Sequence, residues 1–173
     1  MVYIIAQIIG FLAFIISLIA YHRKKKSKIL SSMVISNILN WVHYLLLGAY
    51  SGCVTKVMAI IRDLFIIAKG KNKKLSSYWF LALFIIAYIV CSIVTYKGIL
   101  SLFPLIAAII YIVPIWNGNE KTIKKTAFFC YFLWLGYNIF VFSIAGIVAN
   151  VVSIISTFIA MINENKKEVS KYE

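Results

Sequence analysis

Nearly all of this chain consists of apolar segments long enough to cross a lipid bilayer. A helix of roughly 17–25 apolar residues spans the hydrocarbon core, and seven segments of that kind follow one another in 173 residues. They lie at about 3–21, 29–49, 51–68, 77–96, 98–116, 125–143 and 145–162. Because 63% of the residues are hydrophobic and 13% are charged, little sequence remains for a soluble domain. The sequence predicts an all-α, polytopic protein with one membrane domain over residues 1–173.

The loops between these segments alternate between basic and nearly uncharged. Basic residues cluster in four places, namely His22–Lys28, Lys69–Lys74, Lys121–Lys125 and Lys166–Lys171. The other three loops hold Lys97 as their one basic residue. The positive-inside rule assigns basic loops to the cytoplasm, which predicts an external N-terminus and a cytoplasmic C-terminus. The net charge of +13 is therefore attributed to membrane topology, and no nucleic-acid partner is predicted.

Motifs for metal binding and catalysis are missing from the sequence. The three cysteines, Cys53, Cys91 and Cys130, lie in different apolar segments, without the spacing of a disulfide framework or a zinc site. There is no phosphate-binding loop, serine-nucleophile motif or pair of catalytic carboxylates. The sequence therefore predicts a protein that is not an enzyme and has no metal or cofactor.

The two halves of the chain align with each other at an offset of 94 positions and without a gap. Gly52 then matches Gly146, and polar positions and loop boundaries remain in register along the alignment. This predicts a first three-helix repeat at 1–69, a linker helix at 77–96 and a second three-helix repeat at 98–163. A single linker helix leaves both repeats in the same orientation, so the repeat is parallel and its axis follows the membrane normal.

Polar residues within the apolar segments fall on one face of each helix when they are placed at 100° per residue. Lipid offers no partner for such a face, so it must face protein or water. Six segments carry a polar or small-residue face, a pattern that predicts either a polar cavity or a tightly packed interior. The candidate substrate-binding residues on these faces are Asn37, Asn40, His43, Lys56, Arg62, Tyr111, Trp134, Tyr137, Asn138 and Asn150.

Three charged residues of the third segment are the most expensive to place in a membrane. A charged side chain at the bilayer centre costs about 2.5–3.5 kcal/mol on insertion scales. Asp63 is the one acidic residue in the seven segments, so it cannot neutralise both Lys56 and Arg62. One interpretation is a structural ion pair between Asp63 and either cation. The other is a site in which Lys56 and Arg62 bind an anionic group and Asp63 orients them or carries a proton for coupling.

The remaining polar candidates have structural and functional interpretations that the sequence leaves open. His43 is either a hydrogen-bonded packing residue or a substrate-binding and proton-coupling group, since its titration lies near neutral pH. Asn37 and Asn40 either form interhelical amide hydrogen bonds or contact substrate. Trp134 lies too deep for an interfacial anchor, so it either packs in the interior or stacks against a planar or sugar-like ligand.

Helix-weakening residues occur at the same depth in both halves. Pro104 of the fifth segment aligns with Gly10 of the first, and Pro114 lies ten residues further along the fifth segment. Proline in a membrane helix frees backbone carbonyl groups and can bend the helix. These three residues are predicted to be hinges, with a static kink as the alternative.

Short motifs occur at 6–11, 43–52, 102–104, 134–138 and 143–146, which read AQIIGF, HYLLLGAYSG, LFP, WLGYN and SIAG, with Arg62 following the second. Together these motifs resemble the YgjV family of bacterial inner-membrane proteins. The resemblance covers nearly the whole chain and implies a multi-pass protein of the bacterial cytoplasmic (inner) membrane.

The arrangement of three, one and three helices in turn resembles the group that includes SWEET sugar transporters, PQ-loop proteins and PnuC-type vitamin transporters. That resemblance implies alternating access, with substrate held between two three-helix bundles. The first segment lacks the proline of the sugar transporters, and Lys56 lies opposite Asn150, which favours a polar or anionic metabolite over a sugar. We therefore expect a metabolite transporter. The alternative is a non-transporting sensor or assembly partner of the same fold, and a homo-oligomer is left open.

Overall fold

The computed structural model describes residues 1–21, 26–70, 72–118 and 120–169, and this part of the chain is helical. It contains seven α-helices and two short 3₁₀ helices within those ranges. The α-helices are α1 (Val2–Tyr21), α2 (Lys26–Leu46), α3 (Tyr50–Lys69), α4 (Tyr78–Val94), α5 (Phe103–Asn117), α6 (Glu120–Phe140) and α7 (Ile144–Val169). The 3₁₀ helices are Lys73–Ser76, before α4, and Ile99–Leu102, before α5.

Three of the described helical stretches are both long and apolar enough to cross a membrane, by length and composition alone: Val2–Ile19, Ile99–Asn117 and Ile144–Ile162. This is fewer than the seven spans predicted from the sequence. The helix α4 is apolar but only 17 residues long. The helices α2, α3 and α6 have 20 or 21 residues, enough for roughly 30 Å at 1.5 Å per residue. Their polar faces, which carry charged and amide side chains, lower the mean hydropathy of the whole helix.

The helices form two groups of three that face each other. In the first group α2 contacts both α1 and α3, and in the second α6 contacts both α5 and α7. The two groups meet where α1 packs on α7 and where α3 packs on α5, while α4 packs on α3 and α5. Large aliphatic side chains on the outer faces, such as Ile4, Ile8, Ile155 and Ile159, are about half exposed or more. A surface of this kind suits lipid, which solvates apolar side chains.

The loops after α2 and after α6 have the same conformation, 94 residues apart. Each contains one residue in the left-handed region, Gly48 at φ 66° and Phe142 at φ 52°. In the first loop the Ala49 amide donates to the Tyr44 carbonyl, and in the second the Ser143 amide donates to the Asn138 carbonyl, both at 2.9 Å. The two halves therefore enter α3 and α7 through equivalent turns.

The two prolines of α5 lie near its ends. Pro104 is in the first turn, directly after the 3₁₀ helix, where a missing N–H leaves no helical hydrogen bond unmade. Pro104 therefore lies at the start of α5 and leaves the hydrogen bonds of the helix interior intact, and its role as a hinge stays a prediction. Pro114 lies inside the last turn, and its carbonyl accepts a 3.0 Å hydrogen bond from Gly118.

Candidate solute-binding cavity

A polar cavity of about 160 Å³ lies between the two groups of helices. Five helices line it, α1, α2, α3, α6 and α7, and most of the lining residues are small or polar. The volume is close to that of a ~150 Å³ protein cavity that accepts benzene, so it fits a small organic molecule. The lining extends from Tyr44 and Asn138 at one end to Ser17, Met33 and Ser153 toward the other.

The cavity brings together some of the predicted site residues and leaves out others. The candidates in its lining are Asn37, Asn40, Lys56, Trp134, Asn138 and Asn150, together with the predicted hinge Gly10. The candidates outside the lining are His43, Arg62, Asp63, Tyr111 and Tyr137. Each residue of the second set has a structural partner elsewhere in the bundle.

The small-residue face that was predicted for the fifth segment, which forms α5, does not border the cavity. Ser101, Pro104, Ala107 and Ala108 are buried against neighbouring helices, and the Cys130 thiol of α6 donates to the Ala107 carbonyl at 3.3 Å. Six faces were expected to surround a cavity or to pack tightly. The structure divides them, since five helices contribute to the cavity and α5 presents its small residues for close packing.

Arg62 and Asp63 form an ion pair beside the cavity. The Arg62 Nε and Nη2 atoms donate to Asp63 Oδ1 at 2.9 Å and 2.8 Å, and both side chains are buried. The second carboxylate oxygen accepts a 3.1 Å hydrogen bond from Asn37 Nδ2, and Asn37 itself lines the cavity. Arg62 also lies over the Tyr111 ring, 5.5 Å from its centroid. Of the two cations considered from the sequence, Arg62 is the one that binds the carboxylate.

Lys56 has a different neighbour, the ring of Trp134. Its Nζ atom lies 4.0 Å from the ring centroid, and both residues line the cavity. The Trp134 ring also stacks on Tyr44, with centroids 5.8 Å apart and planes at 24°. The indole was expected either to pack or to stack against a ligand. The structure gives it protein partners, and one of them is the cavity's ammonium group.

His43 joins the two halves at one end of the cavity. This is the end at which α1, α3, α5 and α7 begin, and we call it the closed end. The His43 ring is 1% exposed, with Nδ1 at 2.6 Å from the Ala6 carbonyl oxygen and Nε2 at 2.7 Å from Ser143 Oγ. A carbonyl oxygen accepts hydrogen bonds only, so Nδ1–H donates to Ala6, and Nε2 and the Ser143 hydroxyl share the second hydrogen bond.

Tyr137 makes the corresponding connection from the second half to the first. Its hydroxyl accepts a 2.8 Å hydrogen bond from the Gly52 amide and lies 3.1 Å from Ser51 Oγ and 3.2 Å from the Ala49 carbonyl oxygen. The residue before α3, Ala49, has no capping side chain. The Tyr137 hydroxyl therefore satisfies an N–H group in the first turn of α3, where backbone donors lack helical partners.

Side chains also satisfy the N-terminus of α7 from both halves. Gln7 Oε1 of α1 accepts from the Ala145 amide at 2.9 Å, and Ser143 Oγ accepts from the Gly146 amide at 3.0 Å. Ser143 begins the 143–146 motif but was not among the predicted site residues. Its residue type and its position could have indicated it, since serine directly before a helix is a favoured N-cap.

Two further contacts relate the halves at the 94-residue offset. The Tyr44 hydroxyl donates to Asn138 Oδ1 at 2.8 Å, so a residue bonds to its own counterpart. Ser36 Oγ donates to the Ala13 carbonyl at 2.8 Å. The counterparts of that pair, Cys130 and Ala107, make the equivalent contact between α6 and α5.

Together, an apolar exterior, buried polar helix faces and a cavity lined by amide side chains define a helical membrane protein with a polar site between its helices. The chain belongs to the Imp-YgjV family, described as bacterial inner membrane protein, whose family model matches residues 4–168. The resemblance to the YgjV family and the inner-membrane localisation predicted from the sequence are thereby confirmed, while the SWEET-like grouping stays a prediction. No curated protein and no solved structure matches the chain.

Proposed function

We propose that this protein transports a small polar or anionic metabolite across the bacterial inner membrane by alternating access between two three-helix bundles. The observation that carries the proposal is a polar cavity closed at one end by contacts between the two halves, with a lining that continues toward the other end. The cavity would hold the solute while the bundles rock about it.

The matched contacts support a parallel repeat of 1–69 and 98–163 around a linker helix at 77–96. One sequence offset, 94 residues, relates the turns after α2 and α6 and also relates the Ser36–Ala13 contact to the Cys130–Ala107 contact. The same offset separates Tyr44 from Asn138, which bond to each other. A residue can contact its own counterpart only near the axis that relates the repeats. The axis would therefore pass through the closed end, beside the cavity, as expected for a transporter built from two equivalent bundles.

The contacts at the closed end support a gate. His43 bonds Ser143, and Tyr137 bonds Gly52, so side chains of each half hold the start of a helix in the other. The polar part of this contact is a few side-chain hydrogen bonds, each worth about 0.5–1.5 kcal/mol net. They lie beside a buried cluster of Tyr44, Ala49, Cys53 and Tyr137. With the orientation that the basic loops predict, the closed end faces outward and the cavity faces the cytoplasm.

The proposed roles follow from position. Asn37, Asn40, Asn138 and Asn150 would contact solute in the cavity, and Gly10 and Pro114 would accommodate helix movement. Asp63 would sense solute through Asn37 and serve as the coupling group, with Arg62 and Tyr111 fixing it. If solute uptake by the Asp63→Asn variant still depends on the pH gradient across the membrane, the coupling role is contradicted.

The test is access to the cavity from both sides. Ala149→Cys places a thiol in the cavity lining, and Ile155→Cys, whose parent side chain is 55% exposed on the outer face, is the control. We expect a membrane-impermeant maleimide to label Ala149→Cys above the unmodified chain in both right-side-out and inverted vesicles, and not to label Ile155→Cys. Labelling from one side alone, together with no uptake of any solute from a metabolite panel in proteoliposomes, would favour the sensor or assembly function.

A further inference from the structure

The cavity contains a positive charge that the protein does not neutralise within its described part. Three charged side chains lie in the middle of α3, and Arg62 and Asp63 form an ion pair with each other. Lys56 forms no ion pair within the described ranges, and its Nζ atom faces the Trp134 ring. The cavity and its surroundings therefore carry a net charge of one positive unit inside a largely apolar bundle.

Trp134 holds the ammonium group without satisfying its hydrogen bonds. A cation over an aromatic face is attracted by the ring quadrupole, but the ring offers no lone pair to the three N–H donors of lysine. The ring is itself fixed, since it stacks on Tyr44 and meets Tyr137 edge to face at 5.9 Å. Trp134 thus limits the positions that the Lys56 ammonium can take, while its donors stay available to the cavity.

A second donor lies at the closed end of the same cavity. Asn138 uses its carbonyl oxygen to accept from Tyr44, which leaves its NH₂ group as the part of the amide that a ligand can engage. Asn150, also in the lining, uses its NH₂ group on the Gly146 carbonyl. Lys56 and Asn138 both line this small space, and an ammonium group is complementary to oxygen acceptors that carry negative charge.

We infer that the cavity binds a small organic monoanion, a monocarboxylate, with its carboxylate on the Lys56 ammonium and Trp134 as the positioning residue for that ammonium. The inference rests on the proposed function and assigns its substrate class. One negative charge neutralises the cavity, whereas two leave a buried charge without a partner, which is strongly unfavourable. The volume of about 160 Å³ limits the ligand to a few carbon atoms.

The experiment is a binding measurement on the purified full-length protein. Isothermal titration calorimetry and thermal shift are run with lactate and propionate as monocarboxylate probes, propionamide as the neutral isostere, succinate as the dianion and chloride as the inorganic anion. We expect saturable, stabilising binding of the monocarboxylates, with at least roughly tenfold weaker binding of the other three, because charge-assisted hydrogen bonds are the strong ones.

Variants of Lys56 and Trp134 test whether binding depends on the positive charge of Lys56 or only on an intact fold. Lys56→Gln is expected to weaken monocarboxylate binding at least about tenfold, and Lys56→Arg to retain most of it. Lys69→Gln is the matched control, because Lys69 also lies 4.0 Å from a tryptophan ring, that of Trp116, but outside the cavity lining. Its binding should equal that of the unmodified chain. Trp134→Phe should bind between the unmodified chain and Trp134→Leu, which a merely structural residue would not produce.

The results that would overturn the inference differ from those that would overturn transport. Monocarboxylate binding that is absent, unaffected by Lys56→Gln, or matched by propionamide, succinate or chloride would refute the assignment. Two-sided labelling of Ala149→Cys with no monocarboxylate binding would leave transport standing and refute the monoanion. Lys56-dependent binding with labelling from one side alone would leave the site standing and refute alternating access.

Discussion

Tyr44 and Asn138, which lie 94 residues apart in the sequence, are joined directly by a 2.8 Å hydrogen bond from the tyrosine hydroxyl to Asn138 Oδ1. Both side chains are buried, and both line the cavity. The bond thus connects α2 to α6 at the place where the halves are in contact and where the cavity ends.

Tyr44→Phe should destabilise the fold by about 1 kcal/mol, because it removes one buried hydrogen bond and leaves the Asn138 carbonyl with unmet acceptor capacity. Thermal unfolding of the purified protein, followed by intrinsic fluorescence, measures the change. Tyr50→Phe is the control, since Tyr50 is 49% exposed. Equal effects of the two substitutions would argue against a stabilising contact between the halves.

Gly52→Ala should destabilise the protein by about 1–3 kcal/mol through overpacking. A Cβ atom at Gly52 would lie 2.7 Å from Tyr137 Cε1, and the Tyr137 ring cannot retreat without losing its bond to the Gly52 amide. Gly70→Ala is the matched control, because Gly70 has an ordinary helical φ of −61° and a Cβ there would make ordinary van der Waals contacts, at 3.4 Å and 3.8 Å from the Ile67 and Ile66 carbonyl oxygens. Equal unfolding midpoints for Gly52→Ala and Gly70→Ala would contradict the close approach of Gly52 to the Tyr137 ring.

Gly48→Ala tests backbone strain alone. No atom would lie within 4 Å of the new Cβ, but the φ of 66° costs a residue with a side chain about 1–2 kcal/mol. We expect a loss of that size with folding retained, since Phe142 adopts φ 52° at the equivalent position. The measurement is again thermal unfolding beside Gly70→Ala, and an unchanged midpoint would show that the turn relaxes.

Breaking the Arg62–Asp63 pair should show strong coupling in a double-mutant cycle. Asp63→Leu leaves a buried guanidinium without its carboxylate, which costs about 3–5 kcal/mol, whereas Arg62→Leu with Asp63→Leu removes both charges and should cost less. The cycle is measured by unfolding. Additive losses, within about 0.5 kcal/mol, would mean that the two side chains do not stabilise each other.

The orientation predicted from the basic loops gives the cavity its direction. A green fluorescent protein fused at the C-terminus should fluoresce in bacterial cells, because that protein matures in the cytoplasm. Alkaline phosphatase fused after Lys97, in the loop between α4 and α5, should be active, because that enzyme requires an oxidising compartment. An active phosphatase at the C-terminus would reverse the proposed direction of the cavity.

Particular residues show how far sequence reasoning reached into the site. Helical periodicity alone placed Asn37, Asn40 and Lys56 on inward faces, and the structure puts all three in the cavity lining. The same reasoning grouped Arg62 and Tyr111 with them, although they lie outside that lining. A polar helix face about 100° wide or more carries more side chains than a cavity of about 160 Å³ can contact, so part of each face packs against protein instead.

The sequence by itself determined the class of protein, its family and the inward direction of the polar faces, because hydropathy, charge placement and helical period are local properties of the chain. Only the tertiary structure decided which cation Asp63 binds, which helices surround the cavity and which end is closed. Those outcomes depend on how each helix is rotated against its neighbours and on where long side chains reach. Lys56, Arg62 and Asp63 all lie on α3, but Arg62 pairs with the carboxylate whereas Lys56 contacts the Trp134 ring of α6. Packing between helices decides this, and the sequence of α3 alone does not specify it.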